Sequence, residues 1–201
     1  VWQLRGFNAI RAKIFMRPDQ LSELTLRFVE LPKLRSGAAK LGWKQADLYG
    51  LMFARLAFDE DAKKAFGRML KSCGLGKLPE DQEELRTWTL SSNESQQQQL
   101  FEAMAGNFMG KGPRKGKTFD WPFNHLADGL GDVTPRSFLI LMQSAAERSV
   151  DRDPGGLVLL PQTIRDGLRE ASKVRIEQLN TEYPWIKRVL QPLAGLRVPA
   201  E

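Results

Sequence analysis

The sequence predicts a mainly α-helical protein, a helical bundle preceded by a short α/β remnant. From position 41 onward, apolar residues recur at spacings of three and four, the period of a helix that buries one face. Before that point, residues 13–16 form a compact apolar run closed by Arg17 and Pro18, as at the end of a buried strand. We therefore divide the chain into an α/β unit at 1–31, a helical domain at 32–150 and a C-terminal helical segment at 151–201.

Composition indicates an ordinary globular protein with a basic surface. Of 201 residues, 42% are hydrophobic and 27% are charged, and the formal net charge is +6. This charge permits an anionic partner, such as a nucleotide or a nucleic acid, without establishing one. A single cysteine, Cys73, excludes an internal disulfide and favours a reducing cytoplasm. No apolar run approaches the length of about 18 residues that suggests a membrane span, so we expect no membrane.

The first 31 residues carry the pattern of one helix–strand unit. Leu4, Phe7 and Ile10 are spaced as on one face of a short helix, and residues 13–16 and 27–31 have the character of extended segments. A strand needs neighbours to pair its backbone hydrogen bonds. The chain also begins without a methionine. We expect it to be part of a longer protein whose α/β core lies upstream, and local pairing of this region is the alternative.

Periodicity and capping signals place the helices after position 41. Gly74 and Gly76 should end the second helix, and Pro79 with the acids after it suits the start of the third. The four glutamines at 96–99 are expected on a solvated face, and 110–123 is expected to be a loop. The predicted helices cover 44–57, about 59–73, a segment from 79, about 92–108, 134–149, a segment from 161 to a break at 183–184, and 185–193.

The stretch from Thr134 to Ser137 carries the strongest functional signal. Thr134 suits a helix N-cap, because its hydroxyl can accept one of the free amide protons of the first turn. Pro135 suits the first helical position, where its missing N–H costs nothing. Arg136 then lies on the first turn, against the helix macrodipole. We expect it either to contact an anion beyond the helix or to form a surface salt bridge.

A glycine-rich basic segment at 110–118 resembles a phosphate-binding loop only superficially. The motif requires a glycine where this chain has Lys111, and it should follow a buried strand rather than a helix. We expect a mobile basic connector, and contact with nucleic-acid phosphates is the alternative. The cations of such a contact would be Lys111, Arg114, Lys115 and Lys117, joined by Arg165, Arg169, Lys173 and Arg175.

The sequence offers no constellation for independent catalysis. His125 is the only histidine, and one histidine with one cysteine makes no metal cluster. No strand–turn–helix elbow presents a nucleophile. The helices of 162–195 suit a winged-helix or helix-turn-helix unit, although no basic, amide-rich recognition helix stands out. Four tryptophans lie within apolar patterns, which favours packing over base stacking: Trp43, Trp88, Trp121 and Trp185.

Three segments, taken in order, resemble prokaryotic P-loop ATPases of the AAA+/STAND type. Residues 10–19, Ile-Arg-Ala-Lys-Ile-Phe-Met-Arg-Pro-Asp, are similar to a late core strand of that family. Residues 41–48, Leu-Gly-Trp-Lys-Gln-Ala-Asp-Leu, with the Arg-Leu pair at 55–56, resemble the passage from the core into the helical lid. Residues 134–139, Thr-Pro-Arg-Ser-Phe-Leu, are similar to a lid helix. The resemblance spans residues 1–149 and extends more weakly to 195.

The resemblance implies that the chain is the helical lid of an ATPase. Arg136 would sense the nucleotide phosphates, as the sensor 2 arginine does in AAA+ relatives, and Arg17 would face the nucleotide from the end of a strand. The 201 residues contain neither a Walker A loop nor Walker B acids. ATP with Mg would therefore be bound mainly by an upstream core of the same protein, and the chain would not hydrolyse it alone.

The resemblance also implies oligomer neighbours as partners and a role in prokaryotic defence or stress signalling. Two other functions stay open. One is a stand-alone helical module that binds nucleic acid through the cations named above, and the other is a protein–protein adaptor.

Overall fold

The computed structural model describes residues 36–152 and 155–193, together with positions 7, 9, 13, 15 and 195. Contacts divide the chain into two units, Val1–Leu41 and Gly42–Glu201. The predicted α/β unit at 1–31, including Arg17, lies outside the described residues apart from those isolated positions. The predicted helical bundle is confirmed, because the described part of the chain is mainly helical and contains no β-strand.

Eight α-helices occur in the described part of the chain, all within the second unit. In chain order they are α1 (Gln45–Phe58), α2 (Lys63–Ser72), α3 (Gln82–Thr87), α4 (Glu94–Ala105), α5 (Asp120–Leu126), α6 (Pro135–Val150), α7 (Pro161–Glu182) and α8 (Trp185–Leu190). Three short 3₁₀ turns lie at Thr89–Ser91, Pro113–Lys115 and Gln191–Leu193.

Side-chain caps and glycines set the helix boundaries. The carboxylate of Asp81 accepts two backbone N–H groups of the first turn of α3, each at 2.8 Å. The side chain of Asn93 accepts one at the start of α4. Gly106 has a φ of 77° and ends α4 three residues before the predicted boundary, because this left-handed conformation breaks the helical hydrogen-bond pattern.

Two sequence predictions are wrong, and both errors come from contacts between distant segments. Helix α5 begins at Asp120, inside the predicted loop, where the side-chain amide of Gln45 donates to the Asp120 carboxylate at 3.2 Å. The four glutamines do not form a solvated face, since Gln97 is completely buried. Its side-chain amide donates to the carbonyls of Ala46 and Leu90, both at 2.8 Å, which satisfies a buried donor.

The core is centred on Tyr49 of α1, whose side chain is completely buried. Its ring stacks on Phe119 with centroids 4.3 Å apart, and it packs edge-to-face with Phe101 of α4 and Phe138 of α6 at 4.9 and 5.0 Å. Its hydroxyl donates a 2.7 Å hydrogen bond to the backbone carbonyl of Phe119. One side chain therefore joins three helices to the segment that leads into α5.

Helices α6 and α7 form a close antiparallel pair. The hydroxyls of Ser149, near the end of α6, and Thr163, near the start of α7, are 2.8 Å apart and buried. Farther along, a β-carbon on Gly167 would lie 2.3 Å from the carbonyl oxygen of Leu141, so the two backbones touch there. The domain boundary predicted between 150 and 151 thus falls between two helices that pack backbone to backbone.

Within the described residues, no helix combines the length and the apolar character that crossing a bilayer requires. The β pairing there is a single isolated antiparallel bridge, between Phe108 and Lys117, which belongs to the loop after α4. The winged-helix arrangement of the C-terminal part therefore stays a prediction.

Replacement of Tyr49 by phenylalanine should reduce the free energy of unfolding by about 1 kcal/mol, because it removes the shorter of the two side-chain hydrogen bonds to the Phe119 carbonyl and leaves the 3.2 Å bond from the Gln45 side-chain amide. Urea denaturation measures the change. The control is Ser72→Ala, which removes an exposed hydroxyl that donates to the Met69 carbonyl, and for which we expect less than about 0.5 kcal/mol. Equal losses in the two variants would contradict a special role for the Tyr49 hydroxyl.

Stability should also depend on the ionisation of Tyr49. Burial, with a smaller contribution from the charge of Asp120, raises the pKa of Tyr49 well above its ordinary value. A raised pKa in the folded state means that the stabilising contribution is complete below the unfolded pKa of about 10 and is lost as the pH rises further. Urea midpoints between pH 8 and pH 11.5 should fall more steeply for wild type than for Tyr49→Phe. Parallel curves would rule out this linkage.

Alanine at position 167 should destabilise the protein by about 2 kcal/mol or more, since its β-carbon would overlap the Leu141 carbonyl and force α6 and α7 apart. Thermal unfolding gives the measurement. Gly129→Ala is the control, because a β-carbon there meets nothing within 4 Å, and its melting temperature should match wild type. An unchanged melting temperature for Gly167→Ala would show that the backbones are not in contact.

Candidate functional site

The start of α6 has the capping geometry that the sequence predicts. The Thr134 hydroxyl accepts the backbone N–H of Ser137 at 3.2 Å, and Pro135 occupies the first helical position. Arg136 follows on the first turn with an exposed side chain. Because Phe138 is completely buried against Tyr49, the backbone that carries Arg136 is anchored in the core.

Arg136 lines a shallow cleft between the start of α6 and the last turns of α7. The cleft has a volume of about 390 Å³, and its other lining residues are Thr134, Arg175, Gln178 and Thr181. Since the two helices are antiparallel, the C-terminal part of α7 lies beside the first turn of α6. Neither arginine makes an ion pair within the described part of the chain. Two guanidinium groups that share a cleft repel each other, and a bound anion would relieve that repulsion.

A second cleft of about 190 Å³ adjoins the first through Thr134 and Arg175, which line both. Its wall includes Asp128, whose carboxylate accepts two backbone N–H groups of its own loop at 2.9 and 3.0 Å. His125 also lines it. The His125 Nδ1 lies 2.8 Å from the Trp121 carbonyl and therefore carries the proton, which leaves Nε2 as the acceptor of the neutral ring.

The four tryptophans that the sequence singles out differ in exposure. The His125 ring stacks on Trp121 with centroids 4.0 Å apart, and Trp121 is half-buried. Trp88 is buried, as packing predicts. Trp43 and Trp185 are exposed, so the apolar pattern around them did not place them in the core.

The two clefts differ in charge, since the first is lined by two arginines and the second by Arg175 with Asp128 and Asp132. No cluster of three or more histidine, cysteine, aspartate or glutamate side chains in the described residues could hold a metal ion. Of the two predicted nucleotide-sensing residues, Arg136 lies in a cleft and Arg17 lies outside the described residues. Sequence reasoning did not pair Arg136 with Arg175, since 39 residues separate them and only the antiparallel packing of α6 on α7 brings them together.

The basic segment at 110–118, predicted to be a mobile connector, is part of a hydrogen-bonded hairpin. Residues 107–118, hereafter the basic hairpin, are paired at their base by a bond from the Met109 N–H to the Gly116 carbonyl at 2.9 Å and one from the Thr118 N–H to the Asn107 carbonyl at 3.1 Å. It follows helix α4 and precedes α5, so the strand–loop–helix context of a phosphate-binding loop is not present.

The eight cations predicted for nucleic-acid contact divide into separate groups. Arg169 and Lys173 make ion pairs on α7 itself, with Asp166 at 3.1 Å and Glu170 at 3.3 Å. Arg165 donates to the backbone carbonyl of Met109, and Arg175 lines the clefts beside Arg136. The remaining four, all exposed, lie together on the basic hairpin: Lys111, Arg114, Lys115 and Lys117.

No family model matches the chain, and no curated protein or solved structure shows significant similarity to it.

Proposed function

We propose that the chain is the helical lid of a P-loop ATPase of the AAA+/STAND type. In this proposal the bundle closes over ATP held by an upstream core of the same protein and passes the nucleotide state to neighbouring subunits. Arg136 is the residue of the lid that contacts the phosphates. The chain contributes this cation and performs no hydrolysis alone.

The exposure of Arg136 in its cleft is the observation that carries the proposal. An arginine on the first turn of a helix is disfavoured by the macrodipole, by a few tenths of a kcal/mol, unless an anion is near. Arg136 has no acidic partner within the described part of the chain, and Arg175 adds a second positive charge beside it. Phosphoryl transfer depends on positioned cations more than on covalent chemistry, which fits such a pair.

The residues of the cleft fit the phosphate end of ATP and leave the metal to the core. Arg136, Arg175 and the hydroxyl of Thr181 supply donors, and none of the described residues that line this cleft is acidic. Guanidinium groups match phosphate oxygens, while Mg²⁺ requires carboxylates and water. ATP with Mg supplies the phosphoryl group to be transferred, and the part of this chain is to orient and neutralise its oxygens. Arg17, outside the described residues, remains the second proposed nucleotide-sensing cation.

The packing of α6 offers a route from nucleotide to neighbour. Arg136 and Phe138 lie on the same helix, and Phe138 packs on Tyr49 of α1. Helix α7 touches α6 backbone to backbone at Gly167. A shift of α6 toward a bound phosphate would therefore move α1 and α7 together, because packed interfaces transmit displacement rather than absorb it.

In the protein encoded by the complete reading frame, Arg136→Ala should lower kcat for ATP hydrolysis by about 10- to 100-fold, the effect expected for loss of a charge-assisted hydrogen bond to phosphate. Steady-state ATP turnover is the measurement. The control is Arg68→Ala, which removes an exposed arginine of α2 that makes no ion pair within the described residues. It should leave kcat unchanged.

Unchanged turnover and unchanged ATP affinity in Arg136→Ala would remove Arg136 from the nucleotide site. A reading frame without Walker A and Walker B motifs upstream of Val1 would remove the ATPase proposal altogether.

A further inference from the structure

We propose that the basic hairpin binds the phosphate backbone of double-stranded nucleic acid. This inference does not rest on the proposed function, because the hairpin shares no residue with the clefts beside Arg136. Three features carry it: the way its base is held, the charge of its tip, and the kinds of side chain that the tip lacks.

The base of the hairpin is fixed to the helical bundle. Met109, Thr118 and Phe119 are at most 1% exposed, so both arms enter the core. The Thr118 hydroxyl donates to the Gly106 carbonyl, and the guanidinium of Arg165 on α7 donates to the carbonyl of Met109. These contacts lie next to the β-bridge between Phe108 and Lys117 and fix both arms of the hairpin there.

The tip is itself a hydrogen-bonded turn. The Gly112 N–H donates to the Gly110 carbonyl at 2.8 Å, and a 3₁₀ turn at Pro113–Lys115 follows. Gly112 and Gly116 have φ values of 99° and 82°, which only glycine adopts without strain. The tip therefore presents its side chains from a defined backbone, and binding requires less ordering than a flexible connector would.

The tip concentrates positive charge. Lys111, Arg114, Lys115 and Lys117 fall within seven residues, and no acidic residue occurs between Glu102 and Asp120. All four side chains are exposed, and none makes an ion pair within the described part of the chain. Four such cations at one point generate a local field that attracts a polyanion.

The composition of the tip favours a nucleic-acid duplex over single strands and lipid surfaces. Residues 110–117 contain no aromatic side chain, and Trp121, which lies close to Gly116, is half-buried and stacked on His125, so the tip itself offers no platform on which unpaired bases could stack. They contain no leucine, isoleucine or other large apolar side chain that would anchor them in a lipid surface. Cations among glycines, which let the backbone approach closely, suit the regularly spaced phosphates of a duplex. With no asparagine or glutamine at the tip, we expect contact with phosphates rather than bases.

The test compares two variants of equal net charge in the 201-residue chain. One replaces the four hairpin cations with glutamine: Lys111→Gln, Arg114→Gln, Lys115→Gln and Lys117→Gln. The control replaces four exposed cations on and after α2: Lys64→Gln, Arg68→Gln, Lys71→Gln and Lys77→Gln. Fluorescence anisotropy with a labelled 20-base-pair DNA duplex, and with an RNA duplex of the same sequence, gives the affinity between 50 and 200 mM KCl.

Wild type and the control should bind both duplexes with similar affinity, and the hairpin variant should bind at least about tenfold more weakly at 50 mM KCl. The slope of log K against log salt should fall by about 3 to 4 in magnitude in the hairpin variant, since each phosphate contact contributes about 0.9. Loss of binding to only one duplex would assign the hairpin to that nucleic acid. A double variant, Lys111→Gln with Arg114→Gln, leaves Lys115 and Lys117 in place. Its salt slope should differ from that of wild type by about half as much as the slope of the fourfold variant does.

Three results would overturn the proposal. These are no duplex binding by wild type at 50 mM KCl, equal weakening in the hairpin and control variants, and tighter binding to a single strand than to the duplex. Cosedimentation with vesicles containing 30% phosphatidylserine, in the absence of duplex binding, would assign the hairpin to membranes and contradict it. ATP turnover is measured separately with the same four substitutions in the protein encoded by the complete reading frame, and a loss of duplex binding with normal turnover distinguishes this surface from the nucleotide site.

Discussion

The hydrogen bond from the Tyr49 hydroxyl to the Phe119 carbonyl is the constraint on which the described part of the fold depends. Both residues are buried, so the Tyr49 hydroxyl cannot exchange this partner for water and would be costly to leave unpaired, while the Phe119 carbonyl also accepts a 3.2 Å bond from the Gln45 side-chain amide. The bond also fixes the orientation of the tyrosine ring, and the ring contacts aromatic side chains from α4, α6 and the segment before α5. This polar contact and the ring contacts around it together fix how these segments pack on one another.

The cleft beside Arg136 and the basic hairpin each carry a cation two residues before a phenylalanine of this cluster. Arg136 precedes Phe138 on α6, and Lys117 precedes Phe119 at the base of the basic hairpin. Two peptide units span at most about 7 Å, so the α-carbons of these cations cannot move far from the core. A ligand at either surface would mainly have to order the side chains, at a cost of about 0.5–1.5 kcal/mol for each long side chain.

Local signals predicted the helices of this protein, and contacts between distant segments decided what they did not predict. The N-cap at Thr134 and the glycines after α2 act within a few residues, so the sequence alone indicates where those helices begin and end. The burial of Gln97 depends on the carbonyl of Ala46, 51 residues away, and the base of the basic hairpin depends on Arg165, 56 residues from Met109. No local pattern contains that information. The clefts beside Arg136 were missed for the same reason.

The distribution of ion pairs separates the cations that support the fold from those that can attract a ligand. On α7, Asp166 is nearly buried and pairs with Arg152 and Arg169, so the field of these groups largely cancels within the protein. Glu170 likewise forms ion pairs with Arg148 and Lys173. A cation that is held apart from acids keeps its field and remains able to bind an anion. Among the cations that the sequence singles out, those of the basic hairpin and Arg136 make no ion pair within the described residues, and both are carried by backbone anchored in the Tyr49 cluster.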